Sequence, residues 1–341
     1  MNVSSQYSAS ALLFAGVDSL PVALTKAAPT ASAVGPLKVG IVCNPKSHLN
    51  RGAQYAAGVP GADSVMVAAP RTRTALAETL ATFAARRIDL LVIDGGDGTV
   101  RDVLTCAEHL WKGIWPDIVV IPSGKTNALA IDLGIPTGWT LADALAATAQ
   151  GRRVERRPVE VARSDGSRPL RGFLFGAGAF VKATELAQHT HRAGAFNGVA
   201  VGLALCWAVL QTMFGGANST WRKGSAMGLR LPGGGDPDQR PRYLLLASAL
   251  RSLPLGLKPF GRPRDGMKLL AIDAPPRLLP ITAPALLAGS ESPWMARMGF
   301  HHLDAASFEV TLDDGFILDG EHFDGGTLSV RQGPVLSFVV P

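Results

Sequence analysis

The chain has 341 residues, of which 47% are apolar and 18% are charged. This length allows two domains of ordinary size, and the apolar content is enough to fill a core in each. The charged fraction lies below the roughly 25% of typical soluble proteins and excludes a highly charged, disordered chain. Lys and Arg number 33 against 27 Asp and Glu, a net charge of +6. That excess suits acidic phosphates or an anionic membrane surface, and it is too small to indicate nucleic-acid binding.

The three cysteines, Cys43, Cys106 and Cys206, are odd in number and far apart. They form neither a disulfide framework nor a zinc-binding pattern. This usage is typical of a reducing compartment and predicts a cytoplasmic protein.

Residues 1–36 contain one Asp and one Lys among many Ala, Ser and Pro residues. The first cation, Lys26, comes too late for the charged start of a secretory signal. We expect a disordered leader, with a short amphipathic membrane contact as the alternative.

Residues 37–150 alternate between strand and helix patterns. Apolar runs predict strands at 38–43, 64–69, 88–93 and 117–122, and helical spacing of apolar residues predicts helices at 72–87 and 100–110, with a further short helix before Gly134. This order is typical of a Rossmann-like α/β domain with a parallel sheet.

Residues 151–333 have a different texture. An Arg-rich stretch at 151–171 is followed by short apolar runs at 172–179, 242–250, 267–272, 307–312, 315–320 and 327–330, separated by turns rich in Gly, Pro and Asp. The pattern predicts a β-sandwich-like second domain. The uncharged run 193–221 predicts an inserted helix, buried or docked on a membrane, because its apolar part is shorter than the roughly 20 residues of a spanning helix. A last strand near 334–341 is a candidate to return to the first domain.

The turn from Gly95 to Thr99 follows an apolar strand and precedes a helix. Glycines let a backbone approach phosphates closely, and a helix start offers unpaired N–H groups and a positive dipole end. Asp97 places a carboxylate there that can approach Mg²⁺ or accept a proton from an attacking hydroxyl. The alternative is an ordinary strand-to-helix turn, in which Asp-Gly pairs are common.

Two more predicted strands end in polar turns, at 44–47 and 123–127. In a parallel sheet, ligands bind beyond the carboxyl ends of the strands. Three successive polar turns are therefore expected to converge at one edge of the sheet.

Four motifs, taken in order, resemble the diacylglycerol kinase catalytic family, which includes bacterial lipid kinases and the sphingosine and ceramide kinases. They are NPKS at 44–47, GGDGT at 95–99, PSGKTN at 122–127 and DGE at 319–321. GGDGT alone is shared with NAD kinases. The resemblance extends from Lys38 to the C-terminus and implies a nucleotide-binding α/β domain followed by a β-sandwich.

The resemblance also implies that the protein uses ATP and Mg²⁺ and that the second domain supplies Asp319 and Glu321 to the reaction. Glu321 is the preferred base for a lipid hydroxyl, with Asp319 and then Asp97 as alternatives, and Asp97 and Asp319 are candidate metal ligands. The implied nucleotide-binding residues are Asn44, Gly95, Gly96, Asp97, Gly98, Thr99, Gly124, Lys125, Thr126 and Asn127.

This sequence departs from the family pattern at several motif positions. Arg101 and Asp102 replace an Asn-Glu pair, Lys125 replaces a Thr, and Ala128 replaces an acid. A lysine at position 125 can contact phosphate directly. Loss of the acid at position 128 weakens the expectation of a magnesium network through that residue.

Residues 251–268 combine five cations and one acid with interleaved leucines. This composition suits an anionic membrane surface, and a loop packed on its own domain is the alternative. The leading hypothesis is a peripheral kinase on the inner face of the membrane that phosphorylates a lipid hydroxyl, diacylglycerol foremost. A kinase of the NAD kinase type and a catalytically impaired nucleotide- or lipid-binding protein remain the alternatives.

Overall fold

The computed structural model describes residues 37–47, 62–111, 114–192 and 222–341, and for 62–63 and 186–192 only the backbone. The predicted leader, and the predicted inserted helix at 193–221, lie outside the described residues. Within this part of the chain, no helix is long and apolar enough to cross a membrane.

The described elements follow the chain in a regular order. The strands are β1 (Leu37–Cys43), β2 (Ala62–Ala68), β3 (Leu90–Gly95), β4 (Asp117–Pro122), β5 (Arg153–Arg156), β6 (Val159–Arg163), β7 (Leu170–Gly172), β8 (Leu174–Gly178), β9 (Ser225–Arg230), β10 (Pro241–Ser248), β11 (Lys268–Asp273), β12 (Phe300–Asp304), β13 (Ser307–Leu312), β14 (Phe316–Leu318), β15 (Glu321–Phe323), β16 (Gly326–Gln332) and β17 (Leu336–Val339). The helices are α1 (Arg73–Ala85), α2 (Asp97–Cys106), α3 (Ala128–Asp132), α4 (Leu141–Ala149), α5 (Ala179–Arg192), α6 (Leu279–Leu287) and α7 (Pro293–Arg297).

The described residues divide into two compact units. The first runs to Pro158 and also contains Pro169–Arg171 and Pro334–Pro341. The second contains Val159–Arg168 and the described part of Gly172–Gly333. The fold class predicted from the sequence is confirmed, since a parallel α/β unit precedes an antiparallel one.

The first unit contains a sheet with the strand order β2-β1-β3-β4-β17-β5. Its strands are parallel except β5, which runs antiparallel to β17. The central strands are continuous apolar runs because both of their faces are covered, and Ile41, Leu91 and Val119 are fully buried. Since β1, β3 and β4 are neighbours and parallel, the three turns that follow them lie at the same edge of the sheet.

Helix starts in this unit have recognisable caps. The Thr72 hydroxyl accepts a hydrogen bond from the Ala75 N–H at the start of α1, and Thr140 and Asp143 form a capping box at α4. Helix α2 begins at Asp97, three residues before the predicted start at Val100. The reason is that the Gly96 carbonyl accepts hydrogen bonds from the N–H groups of Thr99 and Val100.

The second unit is built on antiparallel strands with the path β15-β14-β8-β10-β9-β13-β16-β6, and β11 and β12 continue from β10. Strand β13 shows the alternation that such a sheet requires, with Phe308, Val310 and Leu312 buried and the intervening residues more exposed. The predicted single run 315–320 is instead the first half of a hairpin formed by β14 and β15.

Candidate functional site

The glycine-rich turn after β3 is closely packed. A Cβ atom on Gly95 would lie 2.4 Å from the Thr99 hydroxyl oxygen, so the Thr99 side chain occupies that space. The Thr99 hydroxyl accepts a hydrogen bond of 2.8 Å from the side-chain amide of Asn44. Helix α2 starts here with Gly96 as its N-cap residue. The turn therefore presents backbone N–H groups at a helix N-terminus, which is a favourable position for an anion.

The turns after β3 and β4 approach each other backbone to backbone. A Cβ on Gly124 would lie 2.4 Å from the Gly96 Cα, and a Cβ on Gly96 would lie 2.9 Å from the Gly124 Cα. Real Cβ atoms essentially never come this close to backbone. Only glycine fits at both positions, which explains why two motifs that are distant in sequence both carry one.

Asn127 fixes the shape of the turn after β4. Its side-chain oxygen accepts a hydrogen bond of 2.9 Å from the Gly124 N–H, and its side-chain nitrogen donates one of 2.9 Å to the Gly124 carbonyl. Its φ of 51° lies in the left-handed region, which asparagine tolerates better than most residues. The predicted binding residue is therefore also the residue that closes the turn.

Asp97 joins the two turns. Its carboxylate accepts hydrogen bonds from the N–H groups of Ala128 (2.9 Å) and Leu129 (3.1 Å) at the start of α3. Burial raises the pKa of Asp97, and these hydrogen bonds oppose that effect by stabilising the charged form. Because both carboxylate oxygens already accept hydrogen bonds, the geometry favours a positioning role for Asp97 over the role of base.

Asn44 connects the first turn to the second. Its backbone N–H donates to the Asp94 carbonyl (3.0 Å), and its side-chain oxygen accepts from the Lys46 N–H (2.9 Å). With the bond to Thr99, these contacts join the first two turns, and the Asp97 bonds to Ala128 and Leu129 add the third.

Asp94 and Ser123 are functional candidates that the sequence analysis missed. The Ser123 hydroxyl donates to the Asp94 carboxylate, and the two residues are 3% and 4% exposed. This buried pair links the ends of β3 and β4 directly behind the glycines. The signal in the sequence was an acid inside an apolar strand, directly before Gly95-Gly96. Burial, followed by the charge of Asp94, raises the pKa of the neighbouring Cys43 thiol to about 12.

The edge of the sheet carries exposed cations. Lys46 lies in the first turn and Lys125 in the third, and both are exposed, as is Thr126. Lysine is a compact charge on a long stem, well suited to reach a phosphate beside the backbone N–H groups. The departure from the family pattern at position 125 therefore adds positive charge at this edge.

The departures at positions 101 and 102 lie on α2 and form a cluster with α1. The Arg101 guanidinium, only 4% exposed, donates to the Asp102 carboxylate at 2.9 Å, and Arg73 donates to the same oxygen at 3.2 Å. The pair at positions 101 and 102 therefore ties two helices together, a structural use of charge within the first unit.

In the second unit, Asp319 and Gly320 form a two-residue hairpin loop between β14 and β15. Their φ angles of 45° and 81° are those of a type I′ turn, for which Asp-Gly is a preferred pair. The Asp319 carboxylate accepts hydrogen bonds from the N–H groups of Phe173 (3.0 Å) and Leu174 (2.9 Å). Glu321, half-buried, begins β15 directly after the loop.

The described residues contain no cluster of three or more His, Cys, Asp and Glu side chains that could hold a metal ion. The oxygens of Asp97 and Asp319, the two candidate ligands, accept backbone hydrogen bonds. Mg²⁺ in kinases is commonly held by one or two carboxylates, several waters and the substrate phosphates. Asp97, taken within the first unit alone, fits an ion that is carried largely by a nucleotide.

Comparison with known proteins agrees with these motifs. Residues 38–163 match the family model of the diacylglycerol kinase catalytic domain. A diacylglycerol kinase structure from Bacillus anthracis is similar over 91% of this chain and 98% of its own, with a TM-score of 0.59 and 14% identity. A candidate diacylglycerol kinase from the same organism reaches a TM-score of 0.64 at 14% identity, covering 91% of this chain and 99% of its own. No curated protein sequence matches the chain.

The family match assigns residues 38–163 to a kinase catalytic domain, and most of this range forms the parallel α/β unit. The resemblance found in the motifs is confirmed, since residues 38–163 match the family model of the diacylglycerol kinase catalytic domain. The similarity to the solved structures covers 91% of the chain and shows a shared fold.

Proposed function

We propose that this protein is an ATP-dependent lipid kinase that transfers the γ-phosphoryl group of ATP to a lipid hydroxyl, diacylglycerol being the preferred acceptor. The observation that carries this proposal is the locked set of three turns at the carboxyl edge of the first sheet. Gly96 and Gly124 touch there, and Asn44 and Asp97 bind across the turns. The family match supports phosphoryl transfer as the reaction.

In this proposal the phosphates of ATP lie over Gly95–Thr99 and residues 124–127. Backbone N–H groups at the start of α2 stabilise the negative charge of the phosphates. The positive charges of Lys46 and Lys125 strengthen this stabilisation. Phosphoryl transfer needs mainly positioning and charge stabilisation, which a rigid set of turns supplies. Mg²⁺, when bound, neutralises charge on the phosphates.

The acceptor hydroxyl has a very high pKa and needs a base as it attacks. We assign that role to Glu321, as the resemblance implies. Asp319 holds the hairpin through the N–H groups of Phe173 and Leu174 and so positions Glu321. A bilayer substrate implies that the protein works at the inner face of the membrane.

The test is transfer of radiolabelled phosphate from Mg·ATP to a panel of lipids in mixed micelles. Glu321→Gln should lower kcat by roughly 10²–10⁴-fold and leave ATP binding unchanged, since the base acts on the acceptor. Glu309→Gln is the matched control, because Glu309 is an exposed residue of the same unit that pairs with Arg230. Lys125→Ala should raise KM for ATP and change kcat less.

Two results would contradict the proposal. Transfer to NAD with no lipid labelled would favour a kinase of the NAD kinase type. ATP binding without transfer to any acceptor would favour a catalytically impaired protein.

A further inference from the structure

Helix α6 is apolar on both of its faces. Its buried side carries Leu279, Thr282 and Leu286, and the Thr282 hydroxyl donates to the carbonyls of Arg277 and Leu278. Its exposed side carries Ile281, which is 61% exposed, and Leu287. A helix on the surface of a globular protein normally places charged or polar residues on its solvent side. On α6, apolar side chains occupy that side instead.

The loop before β11 contributes to the same apolar surface. Its Lys258 N–H donates to the Leu287 carbonyl at 2.9 Å, which attaches the loop to the end of α6. Inside, Phe260 of the loop shares a core cluster with Leu279 and Leu286 of the helix. Since the inner sides of loop and helix pack into one cluster, their outer sides lie next to each other.

Two leucines at this surface have unusual backbone conformations. Leu255, at the tip of the loop, has a φ of 61° and is 83% exposed. Leu278, at the start of α6, has a φ of 47° and is 59% exposed. The left-handed region is unfavourable for leucine, and such residues persist where the surrounding structure imposes them. Both side chains are held out into solvent at an energetic cost.

Exposed apolar side chains are concentrated here. Of the eight large ones in the described part of the chain, four are Leu255, Leu278, Ile281 and Leu287. We name the surface they form, together with the exposed cations Lys258, Arg262 and Arg277, the basic apolar face. An apolar patch bordered by charge marks an interaction site.

The charges around the face identify the partner. Residues 251–291 carry the six cations Arg251, Lys258, Arg262, Arg264, Lys268 and Arg277 against the three acids Asp265, Asp273 and Glu291. The acids are engaged locally, since Asp265 pairs with Arg251, Asp273 with Arg242 and Glu291 with Arg264. In the described residues, Lys258, Arg262 and Arg277 form no ion pair within 4 Å. Leucine side chains with flanking cations match the acyl boundary and headgroups of an anionic bilayer.

We propose that the basic apolar face docks this protein on an anionic phospholipid bilayer. Leu255, Leu278, Ile281 and Leu287 enter the interface, and Lys258, Arg262 and Arg277 bind the headgroups. The inference rests on the proposed function, because a kinase with a bilayer substrate must meet the membrane to reach it. It adds to that proposal the particular residues that make the contact.

The test is flotation of the full chain with vesicles of phosphatidylcholine, with and without phosphatidylglycerol. We expect binding to the anionic vesicles that weakens as ionic strength rises. Leu255→Gly removes the side chain and relieves the backbone strain, so loss of folding cannot explain its effect. Together with Ile281→Asp it should lower the vesicle partition coefficient by roughly tenfold or more. Lys258→Glu should weaken binding to anionic vesicles alone.

Matched controls lie in the first unit. Val67→Asp changes an exposed apolar residue, and Arg86→Glu reverses an exposed cation. Both should bind vesicles as the unchanged protein does. Vesicle binding that the Leu255, Ile281 and Lys258 variants leave unaltered would overturn the proposal. The proposal would also be overturned if the protein did not bind vesicles and instead formed a dimer that Ile281→Asp dissociates. In that case a second copy of the chain would cover the basic apolar face.

Phosphorylation of a short-chain lipid below its critical micelle concentration separates the two proposals. If docking is correct, Leu255→Gly lowers activity on vesicles and leaves this monomeric activity intact. If no lipid is phosphorylated in either form and the vesicle results hold, the proposed function fails and the docking surface stands.

Discussion

The contact between Gly96 and Gly124 allows a sharp test of the nucleotide site. In Gly124→Ala the new Cβ would lie 2.4 Å from the Gly96 Cα and 2.8 Å from the Asn127 side-chain oxygen. Ordinary carbon contacts are about 3.5 Å or longer, so the turns must separate by roughly 1 Å. The atom that the new Cβ would approach most closely is a backbone atom, and a backbone atom cannot rotate away as a side chain can.

Overpacking of this kind costs about 1–3 kcal/mol. For a unit of this size, each kcal/mol lowers the melting temperature by about 2–4 °C. A displacement of roughly 1 Å in a site that works by positioning lowers kcat/KM by about a hundredfold. We therefore expect Gly124→Ala to melt a few degrees earlier and to lose most of its ATP-dependent transfer.

Calorimetry and the micelle assay measure the two effects. Gly235→Ala is the control, because its Cβ would meet nothing within 4 Å and its φ is not in the left-handed region. If Gly124→Ala retains the stability and the kcat/KM of Gly235→Ala, the argument that the two turns must touch is refuted.

Three further predictions concern the surroundings of the site. Asp319→Ala should lower stability by about 1–3 kcal/mol, because two backbone N–H groups lose their acceptor and alanine is strained at a φ of 45°. Asp319→Asn is the control, because asparagine keeps an acceptor and tolerates that φ. Equal free energies of unfolding for the two variants, measured with denaturant, would contradict this. Cys43, whose pKa burial raises to about 12, should resist iodoacetamide in the folded protein and react on unfolding, as peptide mass spectrometry would show. Burial lowers the pKa of His302 below its ordinary 6.5, so its contribution to stability is present above that value and is lost as pH falls towards the lowered pKa. As the pH is lowered, the melting temperature of the unchanged protein should fall more than that of His302→Gln. Parallel curves of melting temperature against pH for the two proteins would refute this.

The core strands of the first unit were predictable because their sequences are continuous apolar runs, the pattern of parallel strands covered on both faces. Strand β5 was not, because its residues belong to the Arg-rich stretch 151–171. It is an edge strand, and its arginines pair with acids distant in sequence, Arg153 with Asp117 and Arg156 with Asp132. No local pattern reveals such partners.

Helix α6 was missed for a different reason. Its sequence LPITAPALL contains two prolines, which normally argue against a helix. One stands at the start, where its missing N–H has no partner in any case, and Pro284 lies inside the helix. The Arg277 and Leu278 carbonyls at the start of the helix accept from Thr282, a contact that fixes this end.

The motif residues were predictable as a set, but their separate roles were not. The sequence offers Asp97, Asp319 and Glu321 as three acids, and only the family resemblance ranks them, with Glu321 first as the base. The structure shows that Asp97 and Asp319 accept hydrogen bonds from backbone N–H groups. Local backbone features, which the sequence does not display, place those N–H groups within reach of the carboxylates. For Asp97 that feature is the left-handed Asn127 before α3.

In the proposed function, this division of the acids assigns support to Asp97 and Asp319 and the chemistry to Glu321. Charge on Asp97 and Asp319 is neutralised by backbone dipoles, and each then shapes the turn or hairpin on which it stands. Replacing either acid must disturb stability together with activity, whereas Glu321, placed by the hairpin that Asp319 holds, should affect activity with little change in stability. The measurement that separates base from support is therefore the ratio of lost activity to lost stability, since a loss of activity alone would follow from changing any of the three.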